Sequence, residues 1–218
     1  MCAQFIPENQ PAFKYRTPVF WYNRPHCSWM RIKSKQNFEE SELEEARDKT
    51  NEALKQVIIY TDGGCKPNPG PGGFGVVLLH GEKRKEISGG FLKTTNNRME
   101  LTAAIVGLQT LRYKCIVTLY TDSQYVSNGI LKGWAKSWRR NDWIKSDKSK
   151  AINPDLWATL LDLCDQHQVN FQWVRGHTGN KENERCDVLS TESRLQKDLP
   201  TDEHYLDSSL FFRKTSLL

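Results

Sequence analysis

The chain has 218 residues, a formal net charge of +5 from 31 Lys plus Arg against 26 Asp plus Glu, and 38% hydrophobic residues. That length suits one medium domain with extensions and a core of normal size. With 26% charged and 11% aromatic residues it is neither a disordered polymer nor a membrane protein, because no apolar run approaches the roughly 18 residues a spanning helix needs.

Residues 1–55 read as an irregular extension that ends in a polar helix or charged linker. The stretch MCAQFIPENQPAFKYRTPVFWYNRPHCSWMRIKSK is proline-bearing and aromatic, with Glu8 its only acid and no sustained period of 2 or 3.6. Transit peptides are also acid-poor, but they are Ser-rich and amphipathic as well, and Ser28 is nearly alone before Ser34. In-frame Met30 allows the further reading of a start codon placed too early. From Glu39 to Lys55, EESELEEARDKTNEALK has strong helix formers and the i,i+4 pair Glu45–Lys49. No activity is assigned to this segment.

From Val57 the pattern becomes alternating β and α units. VIIYTDG is an apolar, β-branched run expected to end at a Gly-rich loop, CKPNPGPGG, and GFGVVLLH and KEISGGFLK form a hairpin across the turn residues of HGEKRK. NNRMELTAAIVGLQTLR is the clearest helix, capped by Asn96 or Asn97, with Ala104, Leu108 and Leu111 on one face. CIVTLYTD repeats the strand-then-Asp design and is followed by a polar helix from about Ser123.

Residues 132–150 then carry seven cations, Lys132, Lys136, Arg139, Arg140, Lys145, Lys148 and Lys150, against Asp142 and Asp147, an excess equal to the net charge of the whole chain. A concentrated basic stripe of this kind is what a phosphate backbone sees. NPDLWATLLDLCDQH is a helix opened by Pro154 and Asp155, VNFQWVRG the last strand, HTGNKENE a polar loop and ERCDVLSTESRLQ the last helix. The order β-β-β-α-β-α-α-β-α implies an α/β fold with one mixed sheet over residues 56–195. Residues 196–218 read as a tail, with Phe211 and Phe212 placed to dock on the domain. The six cysteines, Cys2, Cys27, Cys65, Cys115, Cys164 and Cys186, form no C-x-x-C pair and follow no signal peptide, which suits reduced thiols in the cytoplasm.

Four acids stand out. Asp62 and Asp122 each follow an apolar strand in the same TD context, and strand ends at one edge of a sheet converge. Glu100 lies on or beside the apolar face of its helix, where a carboxylate is costly unless paired or bound to a cation. Asp187 falls at the start of the last helix. Three of them have an ordinary alternative: a turn or capping residue for the two strand-end aspartates, a first-turn acid favoured by the helix dipole for Asp187. Together, without Cys or His at ligand spacing, they favour hard cations, Mg²⁺ or Mn²⁺, and suit two-ion phosphoryl transfer. Their mutual repulsion should raise their pKa values when no cation is present. His177, in GHTG between the last strand and the helix bearing Asp187, is a candidate proton carrier, with Gly176 and Gly179 giving mobility.

The segments TDGGCKPNPGPGGFG, TTNNRMELTAAIVGL, YTDSQYV and WVRGHTGNKENERCD closely resemble type 1 ribonuclease H of the bacterial kind, in unbroken order over roughly residues 57–195. The resemblance implies a mixed five-stranded sheet flanked by helices. It also implies endonucleolytic hydrolysis of the RNA strand of an RNA–DNA hybrid, leaving a 3′-hydroxyl and a 5′-phosphate, by a cytoplasmic monomer. It places the metal-binding acids at Asp62, Glu100, Asp122 and Asp187 and the loop histidine at His177. Asn68, Thr95, Asn96, Asn97 and Gln124 match contacts to phosphate and to minor-groove or 2′-hydroxyl groups, and the backbone around Gly63 and Gly64 approaches the RNA. The segment GWAKSWRRNDWIKSDKSK resembles the family's basic protrusion, with Trp134, Trp138, Arg139, Arg140 and Lys145 toward the duplex. Trp143, Trp157 and Trp173 are better suited to the core.

Two departures are visible: Gly64 stands where many bacterial members have Ser, and Lys132–Gly133 carries one extra residue before Trp134. Residues 1–55 do not match the hybrid-binding domain of some relatives. Two other readings compete. A non-catalytic nucleic-acid-binding module would gain from fewer acids beside phosphates. A DNA-junction nuclease or integrase of the same broad fold shares scattered acids but not the TTNNRMEL and GHTGNKENERCD contexts.

Overall fold

A computed structural model describes residues 54–205; residues 1–53 of the expected extension and polar helix, and Phe211 and Phe212, lie outside the described residues, and Lys55, expected to close that helix, opens the first strand instead. The chain order is β1 (Lys55–Cys65), β2 (Gly70–His80), β3 (Lys83–Thr94), α1 (Asn96–Gln109), β4 (Cys115–Thr121), α2 (Gln124–Leu131), α3 (Trp134–Arg140), α4 (Pro154–Gln166), β5 (Gln168–Trp173) and α5 (Lys181–Arg194). The five strands form one sheet in the order β3-β2-β1-β4-β5. The first three pair antiparallel, and β4 and β5 run parallel to β1.

The hairpin turns as expected, through Gly81 with φ +56°, a left-handed conformation that costs glycine little. Elsewhere the glycines have a different role from the one expected of them. The run CKPNPGPGG is not one long loop: β1 continues to Cys65, β2 begins at Gly70, and only residues 66–69 connect them. Helices press on both faces of these strands, so a side chain has no room. A Cβ at Gly63 would lie 2.3 Å from the backbone N of Glu100 on α1, and one at Gly73 would lie 2.2 Å from the carbonyl O of Ser190 on α5. The strand-internal glycines are therefore close-approach positions rather than turn residues.

With both faces covered, β2 is buried along nearly its whole length. Val76 faces the larger core with Ile59, Met99, Leu108, Val117, Trp157 and Leu160, while Val77 faces a smaller one with Cys186 and Leu189 of α5. Arg185 of α5 also reaches Glu86 on β3 through two 2.9 Å bonds, and Arg84 bonds the same carboxylate. These two guanidiniums hold Glu86 down to about 2.

Three local expectations change. The cap of α1 is Thr95, whose hydroxyl accepts from the Arg98 N–H, not Asn96 or Asn97. The last helix starts at Lys181 inside the predicted polar loop, because Asn180 caps it by accepting from the Asn183 N–H at 3.2 Å, with Glu182 and Glu184 in the first turn. The basic segment contains a helix of its own, α3, which Gly133 at φ +69° turns away from α2; the extra Lys132–Gly133 residue is thus the corner between two helices. The tail is not featureless either: the Leu92 N–H donates to the Pro200 carbonyl, and Asp202 is buried.

No helix among the described residues is long and apolar enough to cross a membrane. Cys65, Cys115, Cys164 and Cys186 are free thiols, and burial pushes the Cys164 thiol up to about 12, too high for reactivity.

Candidate active site

Thr61 on β1 pairs with Thr121 on β4 in parallel register, so the next residues, Asp62 and Asp122, emerge side by side from neighbouring strands. Asp62 is not a strand end as expected, since β1 runs on to Cys65; Asp62 sits opposite Gly75 of β2, and the strand passes beneath α1 through Gly63. That close approach puts Glu100, in the second turn of α1, over the same place. Asp187 lies in the second turn of α5, one turn later than expected, which removes the first-turn dipole explanation for it.

Burial pushes the Asp62 carboxyl up to about 7, with the charges of Asp122 and Asp187 adding to it. Glu100 is also raised to about 7, first by burial and then by Asp122, against the opposing bonds from Ser123 and Asn96. The upward direction is the expected one, but its main cause is removal from water rather than repulsion.

Each carboxylate is held by neighbours. Glu100 accepts from the Ser123 hydroxyl and, at 2.8 Å, from the Asn96 amide. Asp122 accepts from Asn183 Nδ2 at 3.1 Å, while its own carbonyl accepts from the Trp173 indole N–H at 2.9 Å. A Cβ at Gly176 would lie 2.7 Å from Asp122 Oδ2, so this glycine makes room for the carboxylate rather than only for loop movement. His177 is left-handed at φ +54°, its ring exposed and its Nδ1 3.9 Å from Asp187 Oδ2. Asn183 is itself almost fully buried, and its Oδ1 has no hydrogen-bond partner.

Among the described residues no group of three or more His, Cys, Asp or Glu side chains is arranged to hold a metal ion as it stands. The donor chemistry nevertheless fits a hard divalent cation. All four groups are carboxylates, and two of them are pushed toward neutrality by burial and by the neighbouring negative charge that a cation would offset.

The expected substrate-contact residues divide into two places. Gly63, Gly64, Asn68, Thr95, Asn96 and Asn97 flank the carboxylates at the β1–β2 and β3–α1 junctions, and Gln124 is the exposed first residue of α2. Asn96 is heavily used within the protein: its Oδ1 accepts from the Cys65 N–H at 3.3 Å, and its own N–H donates to Asn68 Oδ1 at 3.2 Å. The basic group lies apart on α3 and the loop after it. There Arg139 is bonded to Asp162 at 2.7 Å, and Lys145 lies 4.0 Å from Asp147.

The tryptophans correct the sequence reading. Trp157 is fully buried and Trp143 packs against the core as expected, but Trp173, on the edge strand, is 45% exposed. Trp138 packs edge-on against Trp157 at 6.0 Å, which turns it into a core contact, whereas Trp134 is exposed. Asn183 was not singled out from sequence; a polar residue one turn before Asp187 on the same helix is the signal that could have found it. Arg98 and Asp202 were missed as well, because nothing local links residues that distant in sequence.

The sequence profile of the RNase H family matches residues 54–194. A ribonuclease H of Syntrophus aciditrophicus is 62% identical over 151 residues, covering 69% of this chain and 87% of its own. One of Rippkaea orientalis is 59% identical over 155 residues, covering 71% and 95%. Among solved structures, LC9-RNase H1, described as a type 1 RNase H with the type 2 active-site motif, superposes with a TM-score of 0.58 at 29% identity, covering 65% of this chain and 72% of that one.

Proposed function

The chain belongs to the RNase H family and is a metal-dependent endoribonuclease of RNA–DNA hybrids; we propose that Asp62, Glu100, Asp122 and Asp187 form its active site, with His177 as proton carrier. The observation that carries this reading is the convergence of the buried carboxylates Asp62 and Glu100 with Asp122 where β1 and β4 run side by side beneath α1.

These four residues would hold divalent cations, Mg²⁺ with Mn²⁺ as a substitute and two when substrate is present, which supply Lewis-acid charge stabilisation and a more acidic water. The protein's own contribution is orientation. Asn183 holds one oxygen of Asp122 and leaves the other free, and Ser123 and Asn96 fix the Glu100 carboxylate. His177, exposed beside Asp187, is placed to take a proton and return it to water as product leaves.

Thr95, Asn96 and Asn97 at the start of α1, with Asn68, Gln124 and the backbone at Gly63 and Gly64, face the RNA strand, where the 2′-hydroxyl distinguishes RNA from DNA. Trp134, Arg139, Arg140 and Lys145 meet the duplex backbone farther along, while Trp138 supports them from the core side. The catalytic domain is read as residues 56–195, acting as a monomer in the cytoplasm.

The test is incubation of purified protein with end-labelled RNA–DNA hybrid, double-stranded RNA, double-stranded DNA and single strands, with Mg²⁺ and with chelator. Cleavage confined to the RNA of the hybrid, ending in 3′-hydroxyl and 5′-phosphate and abolished by chelator, is expected. Cleavage of double-stranded DNA or metal-independent turnover would overturn the reading.

A further inference from the structure

The segment after α5 inserts one buried carboxylate into the β3–α1 junction. Asp202 is 5% exposed. Its Oδ2 accepts from the Thr94 hydroxyl at 2.8 Å and from Arg98 Nε at 2.7 Å, and its Oδ1 accepts from Arg98 Nη2 at 2.9 Å. Thr94 is the last residue of β3 and Arg98 the third residue of α1. They bracket Thr95, Asn96 and Asn97.

Within the turn itself Asn96 bonds Cys65, Asn68 and Glu100, so its middle is held from the active-site side while Asp202 holds its two ends. The Thr95 cap bond to the Arg98 N–H is long, at 3.4 Å. Arg98 is anchored on its far side by Asp155 of α4, at 3.1 and 2.8 Å, so Asp202 and Asp155 together fix the guanidinium in one geometry. A buried, fully bonded ionic cluster adds little net stability relative to apolar packing, yet it admits few alternative arrangements. The Leu92 N–H to Pro200 carbonyl bond and the Tyr205 N–H to Asp202 bond locate the carboxylate from both sides.

We propose that Asp202 is a positioning residue for hybrid binding: one carboxylate grips the residues at both ends of Thr95–Asn97 and sets how that turn meets the RNA strand. The inference rests on the reading that these three residues contact the hybrid. It assigns a role in substrate recognition to a segment that sequence reading treated as a tail.

The test compares full-length wild type with Asp202→Asn, Asp202→Glu, Asn97→Ala, the Asp202→Asn/Asn97→Ala double variant and, as a remote destabilised control, Leu78→Ala. For each, KM and kcat on hybrid and the melting temperature are measured, with assays well below the lowest Tm. Asp202→Asn is expected to raise KM about five- to tenfold with kcat within about twofold, since small misplacement of binding groups is felt strongly. Asp202→Glu keeps the charge but displaces it by a methylene; it should also raise KM, and it carries the test if the Asn variant is unfolded. Leu78→Ala should lower Tm and leave KM unchanged, and the double variant should show little more than the Asn97→Ala effect.

An unchanged KM in both Asp202 variants while Asn97→Ala raises it would overturn the proposal alone and leave Asp202 a fold anchor. A KM rise in Leu78→Ala equal to that of the Asp202 variants would overturn it too. An unchanged KM in Asn97→Ala would remove the contact reading beneath it.

Discussion

Helix α1 carries two carboxylate clusters within one turn of each other, and they are built on opposite principles. Arg98 gathers Asp155 and Asp202 around a buried guanidinium, and its bonds hold Asp155 below the usual carboxylate range despite burial. Two residues on, Glu100 joins Asp62 and Asp122 with no cationic side chain among their charge neighbours, and burial raises both Asp62 and Glu100 to about 7. The first cluster has its counter-ion in the sequence, so its charge is structural. The second lacks one, and that deficit is what suits it to the divalent cation proposed for it.

The sharpest way to break this contrast is to remove one acid from the uncompensated cluster. Asp62→Asn should reduce turnover by about a thousandfold or more, a loss of several kcal/mol of charge stabilisation, while hybrid binding survives or tightens; undiminished turnover with Mg²⁺ present would contradict it. The converse variant, Arg98→Ala, leaves the buried Asp202 and the half-buried Asp155 without their cation and should cost about 3–5 kcal/mol of stability by urea unfolding.

The pH response separates the clusters next. Asp62 and Glu100 bind protons more tightly folded than unfolded, so without added metal they make the folded state lose stability as pH rises from about 4 toward 7. Asp155, shifted the other way, contributes stability above its unfolded pKa that is lost as pH falls through its folded one. Melting curves in chelator should therefore show a fall in Tm between pH 5 and 7.5 that is smaller in Asp62→Asn and is reversed by Mg²⁺.

Smaller effects test the periphery. His177→Ala should slow turnover on the order of 10–100-fold without abolishing it, in keeping with a positioned proton carrier; total loss in a single-turnover assay would give the histidine a larger part. Arg139→Ala with Arg140→Ala should raise KM a few-fold and flatten the salt dependence by one to two units of slope. Arg139 already shares its charge with Asp162, which limits the effect.

Much of this was legible beforehand. The TD repeat after two apolar strands located Asp62 and Asp122, and Glu100 betrayed itself as a charge on an apolar helix face. Elements of regular period are legible, whereas α3 is hidden because its apolar face, Ala135 and Trp138, is one turn long and interleaved with Lys and Arg. Trp173 was misplaced for a related reason: hydrophobicity alone does not say that β5 is an edge strand. The strand-internal glycines were read as a loop because the helices that forbid a side chain there are remote in sequence.

By itself the sequence determined the alternation of strands and helices and the concentration of positive charge in residues 132–150, and it singled out the four acids and His177 as candidates, since these depend on local pattern and residue chemistry. Only the tertiary structure decided that Asn183 and Gly176 shape the surroundings of Asp122, that Trp138 packs on Trp157, and that Asp202 closes on Thr94 and Arg98 from 104 residues or more away. Such contacts join segments whose meeting is set by sheet order and helix packing. No local period or motif encodes them.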